Sequence, residues 1–218
     1  MSAIQLKQET ITLNQVDYLI QSLKDNQQYD QDDEASARIG ISSSTWPLFG
    51  LFWPSSFVLA ATVAQLKLKD KRVLEIGCGL AFSSIVLHGM GVDITASDQH
   101  PLAREFLDTN VMNNEMPPIH YQTGDWDTAN PALGEFDLII GSDVLYQPDH
   151  CKNVSEFIDI HSERKVQVVI VDPNRSNRSR FTRNMQTLGY SHHSERFSMM
   201  DLDRKPNKGH ILYYQREN

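Results

Sequence analysis

The stretch Val73-Leu74-Glu75-Ile76-Gly77-Cys78-Gly79-Leu80-Ala81 decides the fold that this chain is expected to adopt. Its first four residues form an apolar run that predicts a strand, and a helical pattern starts directly after its two glycines. Glycine permits the tight turn that such a junction needs, and it lets a ligand approach the backbone at the N-terminus of the helix. The stretch therefore predicts a strand, a glycine turn and a helix that together form a ligand site.

Downstream of this unit, short apolar runs alternate with longer helical patterns, which is typical of βαβ units and a parallel sheet. The expected strands are Arg72–Ile76, Asp93–Ser97, Ile119–Gln122, Phe136–Gly141 and Val166–Val171. The expected helices are Ala81–His88, Pro101–Asn113, Asp149–His161 and Ser176–Leu188. Near the C-terminus, Phe197–Met200 and His210–Tyr214 predict a hairpin, joined by the polar turn Asp203–Gly209, that closes the sheet.

Upstream of the unit, the segment from Trp46 to Leu66 is nearly uncharged and about as long as a membrane span requires. Pro47, Gly50 and Pro54 interrupt its first half, so we expect a buried helix after Pro54 and no membrane span. The chain also starts without the basic and apolar pattern of an export signal, which favours a soluble, cytoplasmic protein.

The N-terminal region has a different character from the rest of the chain. Asn14 is placed to cap a short helix. The apolar residues of that helix share one face and are Val16, Leu19, Ile20 and Leu23. The polar run Asp25–Glu34 predicts an exposed connector. We therefore expect an N-terminal helical extension with its connector over residues 1–45 and a main domain over residues 46–218.

The composition is that of an ordinary globular protein, with 40% hydrophobic and 22% charged residues. A formal net charge of −8 argues against a surface that follows nucleic-acid phosphates. Neither Cys78 nor Cys151 has a neighbour at metal-ligand spacing, and the histidines show no zinc-binding pattern, so no metal site is expected. We expect a monomer with free thiols.

The glycine turn excludes two nucleotide sites. In the dinucleotide pattern G-x-G-x-x-G the third glycine would fall at position 82, where this chain has Phe82, and no P-loop motif is present. Asp98 ends the second expected strand, 21 residues after Gly77, where an acid can bind both hydroxyls of a ribose. The combination predicts a nucleoside site for a cofactor without a diphosphate.

Glu75-x-Gly77-x-Gly79, with Asp98 after the next strand, resembles the motifs of class I, seven-stranded S-adenosylmethionine-dependent methyltransferases. Within that class, Trp53, the Trp126 of TGDW and the segment Ser142-Asp143-Val144-Leu145-Tyr146 resemble methyltransferase family 16, whose mark is D/E-x-x-Y. Most members of that family methylate protein lysines. The resemblance covers residues 46–171 and implies an α/β, Rossmann-like, doubly wound sheet of seven strands, ordered 3-2-1-4-5-7-6, with the last strand antiparallel.

The resemblance also implies how S-adenosyl-L-methionine would be bound at its methionine end. Gly77, Cys78 and Gly79 would lie along the methionine part. Glu75 would orient the amino group through a water molecule, and Ser142 would contact the cofactor by its backbone.

At the adenosine end, the resemblance implies that Asp98 holds the ribose. Trp126 would pack against the adenine beside Asp125, and Trp53 would close the pocket. Seen alone, both tryptophans would more often be core residues and Asp125 a turn residue, and within the motif these interpretations stand level with the cofactor roles.

For the acceptor, the resemblance points to Asp143 and Tyr146 as the catalytic pair. Methyl transfer requires mainly that donor and acceptor are held in line, and a lysine amine must arrive neutral. A carboxylate and an aromatic ring can orient that amine and stabilise the cationic product. The alternative is that Asp143 caps the next helix and Tyr146 only packs.

The acceptor itself stays open at the level of sequence. The segment Val171–Arg175 resembles the D-P-G-R turn of a neighbouring branch that includes bacterial nicotinamide N-methylase-like proteins and a mitochondrial lysine methyltransferase. We therefore weigh a protein lysine methyltransferase against a small-molecule N-methyltransferase and a non-catalytic cofactor-binding scaffold. Nucleic-acid methylation is disfavoured because the fourth strand is not followed by N/D-P-P-Y. Arg175, Arg178, Arg180 and Arg183 are interpreted as a solvated helix face.

Overall fold

The computed structural model describes residues 5–25, 48–127, 130–200 and 205–217 and shows an α/β protein. Its strands are β1 (Leu6–Leu13), β2 (Val16–Leu23), β3 (Arg72–Ile76), β4 (Asp93–Asp98), β5 (His120–Thr123), β6 (Phe136–Ser142), β7 (Ser162–Asp172), β8 (Ser191–Met200) and β9 (Pro206–Arg216). Its helices are α1 (Pro54–Val63), α2 (Phe82–Gly89), α3 (Ala103–Asn113), α4 (His150–Ile160) and α5 (Arg178–Thr187).

Strands β3 to β9 form one sheet in the order β5-β4-β3-β6-β7-β9-β8. Neighbouring strands are parallel except around β9, which is antiparallel to both β7 and β8. Counted from β3, this is the order 3-2-1-4-5-7-6, so the predicted sheet is confirmed. The terminal hairpin is confirmed as well, although β8 starts at Ser191 and so is longer than expected. Residues 203–204 of its predicted turn lie outside the described part.

Successive residues of the central strands point to opposite faces of the sheet, as the period of two in a strand requires. Val73 packs into a core that holds residues of α1, α2 and α3, whereas Leu74 packs into one that holds residues of α4 and α5. The sheet is therefore covered on both faces, which is the doubly wound arrangement.

The predicted N-terminal helix is wrong, because residues 6–23 form the hairpin of β1 and β2. Asn14 and Gln15 connect the strands with φ angles of 51° and 66°, the left-handed region that a two-residue hairpin turn needs. Burial along most of β2 follows a period of two, because Tyr18, Ile20 and Ser22 are buried while Leu19 and Gln21 between them are only partly buried. Residues 26–45, with the predicted connector and domain boundary, lie outside the described residues.

Two asparagine side chains of α3 and its C-terminus hold the free edge of β2. Asn114 accepts a bond from the N–H of Leu19 and donates one to its carbonyl, both at 2.9 Å. Asn110 does the same with Gln21, at 2.7 Å and 3.2 Å. The side-chain amides thus take the place of a third strand on this edge.

Helix α1 begins at Pro54, as predicted from the proline, which is preorganised for the first position of a helix. Leu59, Ala60 and Val63 are fully buried, so this apolar segment belongs to the core. Among the helices of the described residues, none is long and apolar enough to cross a membrane.

Candidate active site

The glycine turn lies between β3 and α2 at the carboxyl edge of the sheet. Gly77 and Gly79 have φ angles of 58° and 54°, which side chains rarely adopt. A Cβ on Gly77 would lie 2.9 Å from Val144 and 3.2 Å from Trp126, whereas one on Gly79 would meet nothing within 4 Å. Gly77 therefore allows close packing of the cleft wall, and Gly79 leaves open space above the turn.

Cys78 belongs to the turn but not to the cleft. Its N–H donates to the carbonyl of Ser97 at 3.0 Å, and its carbonyl accepts from the N–H of Ala81 at 2.7 Å. The side chain is 6% exposed, and burial raises the pKa of its thiol. Cys78 therefore fixes the turn through its backbone while its thiol stays protonated.

Glu75 is 2% exposed and lies behind the glycine turn. Its Oε2 accepts bonds from the backbone N–H of Ser84, at 2.9 Å, and from the Ser84 hydroxyl. Burial raises the pKa of this carboxyl to about 7. Glu75 thus ties β3 to the first turn of α2, where the helix dipole favours an acid.

Asp98 ends β4 and faces the glycine turn. Its Oδ2 accepts from the N–H of Gly79 and its Oδ1 from the N–H of His100, each at 2.8 Å. Burial raises the pKa of Asp98, and these two bonds act against that rise. A carboxylate has about four acceptor positions, and the N–H of Gln99 also acts on this one, so one or two remain for further hydrogen bonds.

A cleft opens above these residues. It brings together eight of the predicted site residues, namely Trp53, Gly77, Gly79, Asp98, Trp126, Ser142, Asp143 and Tyr146. The other wall residues are Leu48, Phe49, Gln99, His100 and Val144. The remaining predicted residues are not part of the wall: Glu75 and Cys78 lie behind the turn, and Asp125 accepts a bond from the N–H of Asp127 at 3.0 Å.

Phe49 and His100 form a stack in the cleft wall that was not predicted. Their ring centroids are 3.9 Å apart and their planes differ by 5°. Burial lowers the pKa of His100 to about 3, so the imidazole is neutral at ordinary pH. The sequence offered one signal, since His100 follows Asp98 by two residues at the end of a parallel strand.

The aromatic residues of the cleft are held by different elements. The indole N–H of Trp53 donates to the carbonyl of Leu48 at 2.9 Å. On the other side, Trp126 and Tyr146 both pack edge to face on His150 of α4, at centroid distances of 6.0 Å and 5.4 Å. Burial raises the pKa of Tyr146, so its hydroxyl remains protonated.

Asp143 follows β6 and is paired with Arg175, which follows β7. Nε and Nη2 of Arg175 donate to Oδ1 and Oδ2 of Asp143, each at 2.8 Å. Helix α4 begins seven residues later, at His150, and has no side-chain cap, so the alternative that Asp143 caps it is wrong.

The arginines after β7 do not all belong to a solvated face, which corrects that interpretation. Arg175 pairs with Asp143, and Arg178 contacts His210 and lies 3.9 Å from the buried Asp172. Arg180 and Arg183 are exposed on α5, as predicted. Among the residues described, no three His, Cys, Asp or Glu side chains converge as a metal site.

Known proteins with similar sequences are methyltransferases. The chain is 28% identical over 143 residues to the histone-arginine methyltransferase METTL23 of Xenopus laevis, a match covering 62% of this chain and 61% of the relative. It is 31% identical over 123 residues to the protein N-lysine methyltransferase METTL21A of Danio rerio, covering 51% and 56%. The chain thus spans about three fifths of the length of these relatives.

Solved structures support the fold. A methyltransferase from Pyrococcus furiosus superposes with a TM-score of 0.63 at 16% identity, covering 88% of this chain and 97% of that one. A ribosomal protein L11 methylase from Lactobacillus delbrueckii subsp. bulgaricus superposes with a TM-score of 0.58 at 17% identity, covering 78% and 83%. At these identities the likeness shows a shared fold.

A family model described as lysine methyltransferase matches residues 18–188, a region that contains the glycine turn, Asp98 and the Asp143–Tyr146 segment. Since this match covers most of the chain, the protein belongs to the lysine methyltransferase family, methyltransferase family 16.

Proposed function

We propose that this protein transfers a methyl group from S-adenosyl-L-methionine to a side-chain nitrogen of another protein, lysine in the first place. The proposal rests on one observation: the glycine turn and Asp98 line the same cleft as Asp143 and Tyr146. A nucleoside-binding half and an amine-binding half in one cleft are what direct transfer between two bound groups requires.

The nucleoside-binding half of the cleft, here called the donor half, has the space and the hydrogen-bond acceptors that S-adenosyl-L-methionine needs; the amine-binding half is called the acceptor half. The open space at Gly79 leaves room for the methionine part, and the free acceptor positions of Asp98 suit the ribose hydroxyls. Trp126 and the Phe49–His100 stack offer flat apolar surfaces for the adenine. The turn also lacks the third glycine that a diphosphate needs, since Phe82 is buried at that position. When bound, the cofactor supplies an activated methyl group on its sulfonium sulfur.

We assign the acceptor half to Asp143 and Tyr146. The carboxylate of Asp143 would accept a hydrogen bond from the acceptor nitrogen and stabilise the positive charge that develops there. Tyr146 would present its ring to the same nitrogen as a cation–π contact. Both side chains follow β6, at the edge of the sheet where α/β proteins bind their ligands.

The contributions of Glu75, Cys78 and Asp125 are indirect in this proposal. Glu75 holds α2 against the glycine turn, and Cys78 fixes the turn through its backbone. Asp125 shapes the loop that carries Trp126. Trp53 would cover the cofactor from the N-terminus of α1, and Ser142 would contact it through the backbone.

The acceptor is identified by following a methyl label. The protein is incubated with methyl-labelled cofactor and fractionated cell lysate, and the label is located in macromolecules or in small molecules. We expect label in a protein fraction, released on acid hydrolysis as methyllysine. Methylarginine would show that the acceptor is arginine, as in the name of the relative METTL23. Label in small molecules would support the nicotinamide N-methylase-like alternative. Cofactor binding without any transfer would contradict the proposal in favour of a scaffold.

A further inference from the structure

The ion pair at the acceptor side of the cleft is too exposed to be explained by folding stability. The side chains of Asp143 and Arg175 are 13% and 39% exposed. Such a partly exposed pair contributes little to folding. Yet its geometry is that of a strong bidentate pair, with both N–H···O distances at 2.8 Å.

The backbone around the pair is also held in an uncommon state. Asp143 has a φ of 55°, in the left-handed region that residues other than glycine adopt only rarely. Its N–H donates to the carbonyl of Val171 at 2.9 Å, which ties the loop after β6 to the end of β7. The direction of the Asp143 carboxylate is therefore fixed twice, by its own backbone and by Arg175.

The charge of Arg175 changes what Asp143 can do to an acceptor. An unpaired carboxylate would stabilise an acceptor amine in its protonated form, which has no lone pair for attack. The guanidinium places a positive charge against the same two oxygens and so weakens that effect. Each oxygen still has a second acceptor position, through which it can bind a neutral amine.

We infer that Arg175 is a positioning residue of methyl transfer: it fixes the direction of the Asp143 carboxylate and shields its charge, so that the acceptor nitrogen is bound in its neutral form. This inference rests on the proposed function and extends it to a residue that contacts neither cofactor nor acceptor. Arg175 acts only through Asp143.

Other charged and titratable groups lie near the pair. Behind it lies the fully buried Asp172 of β7, whose pKa burial raises to about 6, with Arg178 of α5 at 3.9 Å. His210 of β9 contacts Arg178, and burial lowers its pKa. On the cleft side stand Tyr146, whose hydroxyl stays protonated, and Asp98. Measurements above pH 7 therefore keep Asp172 ionised and His210 neutral. Glu75, with a pKa of about 7, still titrates there, so each variant is compared with the wild type at the same pH.

The first test needs no acceptor. The sulfonium of S-adenosylmethionine carries a positive charge that its demethylated product lacks, so the ratio of their two dissociation constants reports the charge at the site of transfer. By calorimetric titration, we expect Arg175→Gln to shift this ratio about threefold to tenfold in favour of the sulfonium. Asp143→Asn should shift it the other way.

Two further variants control this measurement. Arg175→Lys retains the charge without the two parallel bonds and should keep a ratio near that of the wild type. Arg183→Gln removes an exposed arginine of α5 and should change nothing. A wild-type ratio in Arg175→Gln would overturn the shielding role. If the wild-type protein binds neither ligand, the proposed function fails with it.

The second test uses the labelled acceptor fraction. At pH 7.5 we expect Arg175→Gln to lower kcat about tenfold without raising KM for the acceptor. The loss should shrink to about twofold at pH 9, because more of the acceptor is then neutral without help from the protein. A loss that is equal at both pH values and accompanied by a higher KM would instead indicate a merely structural role and overturn the inference.

Discussion

The two halves of the cleft are built by different kinds of interaction. In the donor half, the hydrogen bonds come from main-chain N–H groups. Those of Gly79 and His100 donate to Asp98, and that of Cys78 donates to the carbonyl of Ser97 in β4. In the acceptor half, side chains hold side chains, as in the Asp143–Arg175 pair and the packing of Tyr146 on His150.

This difference suggests which half of the cleft tolerates substitution. Main-chain contacts at a turn depend on backbone conformation, so most substitutions outside the glycines and Asp98 leave them in place. A side-chain pair can be exchanged by one or two substitutions. We therefore expect cofactor binding to depend on backbone geometry and acceptor choice to depend on a few replaceable side chains.

The strongest way to break the donor half is Gly79→Arg. The positive φ at this position disfavours any side chain, and arginine would fill the space left for the methionine part, so cofactor binding should be abolished in calorimetric titration. Gly91→Arg is a matched control, because Gly91 also has a positive φ, 79°, and open space but lies at the opposite end of the sheet. Equal losses in the two variants would point to misfolding rather than to a lost site.

Asp143→Asn should break the acceptor half alone. It keeps the shape of the side chain and removes the charge, so the single-turnover rate of transfer should fall about 100-fold while cofactor affinity stays within a few-fold. Asp137→Asn is its control, since Asp137 pairs with Lys71 at 3.0 Å at the amino edge of the sheet. A collapse of cofactor affinity in Asp143→Asn would assign this residue to the donor half.

Asp98→Ala should weaken cofactor binding without abolishing it. Removing the carboxylate costs the ribose hydroxyls a charged acceptor and releases the N–H groups of Gly79 and His100, about 2 kcal/mol or roughly 30-fold in the dissociation constant. The rate of transfer at saturating cofactor should change much less. Wild-type affinity would return Asp98 to the role of an ordinary strand-end charge.

The smallest expected effect comes from Tyr146→Phe. The ring remains and still presents its π face to the acceptor, so only the hydroxyl's hydrogen bond is lost, about 1 kcal/mol or roughly fivefold in the rate of transfer. Cofactor affinity should not change. A loss as large as that of Asp143→Asn would show that the hydroxyl, and not the ring, carries the contribution of Tyr146.

The alternating strands and helices, the glycine turn and Asp98 could be predicted from the sequence because they depend on local order, whereas the strand order and the other predicted cleft residues came from the resemblance to methyltransferase family 16. Residues Val73 to Ala81 encode the strand and the turn that leads into α2, and the other βα units are likewise encoded by consecutive residues. The Asp143–Arg175 pair escaped prediction because its partners are 32 residues apart and meet only when two loops close over one edge. The Phe49–His100 stack joins segments that are separated further still.

The N-terminal hairpin shows a different limit. A helical period fits Val16, Leu19, Ile20 and Leu23. In the structure, however, burial follows the strand period, with Tyr18 and Ile20 buried on one face. The turn residues Asn14 and Gln15 are not the Asn-Gly pair that announces a hairpin from sequence. What decides between helix and strand here is the surface on which the segment packs, and that surface is encoded almost 90 residues later, by Asn110.

The asparagines of α3 have a consequence for how this hairpin can vary. Four residues of a helix advance by about 6 Å and two residues of a strand by about 6.6 Å, so Asn110 and Asn114 match the spacing of Gln21 and Leu19. The two asparagines can therefore bind β2 in one register only. A residue inserted at the Asn14–Gln15 turn leaves the spacing of Leu19 and Gln21 unchanged. A residue inserted between Leu19 and Gln21 changes that spacing, so the two asparagines can no longer bind both. Length variation in this part of the protein should accordingly be confined to the turn and to β1.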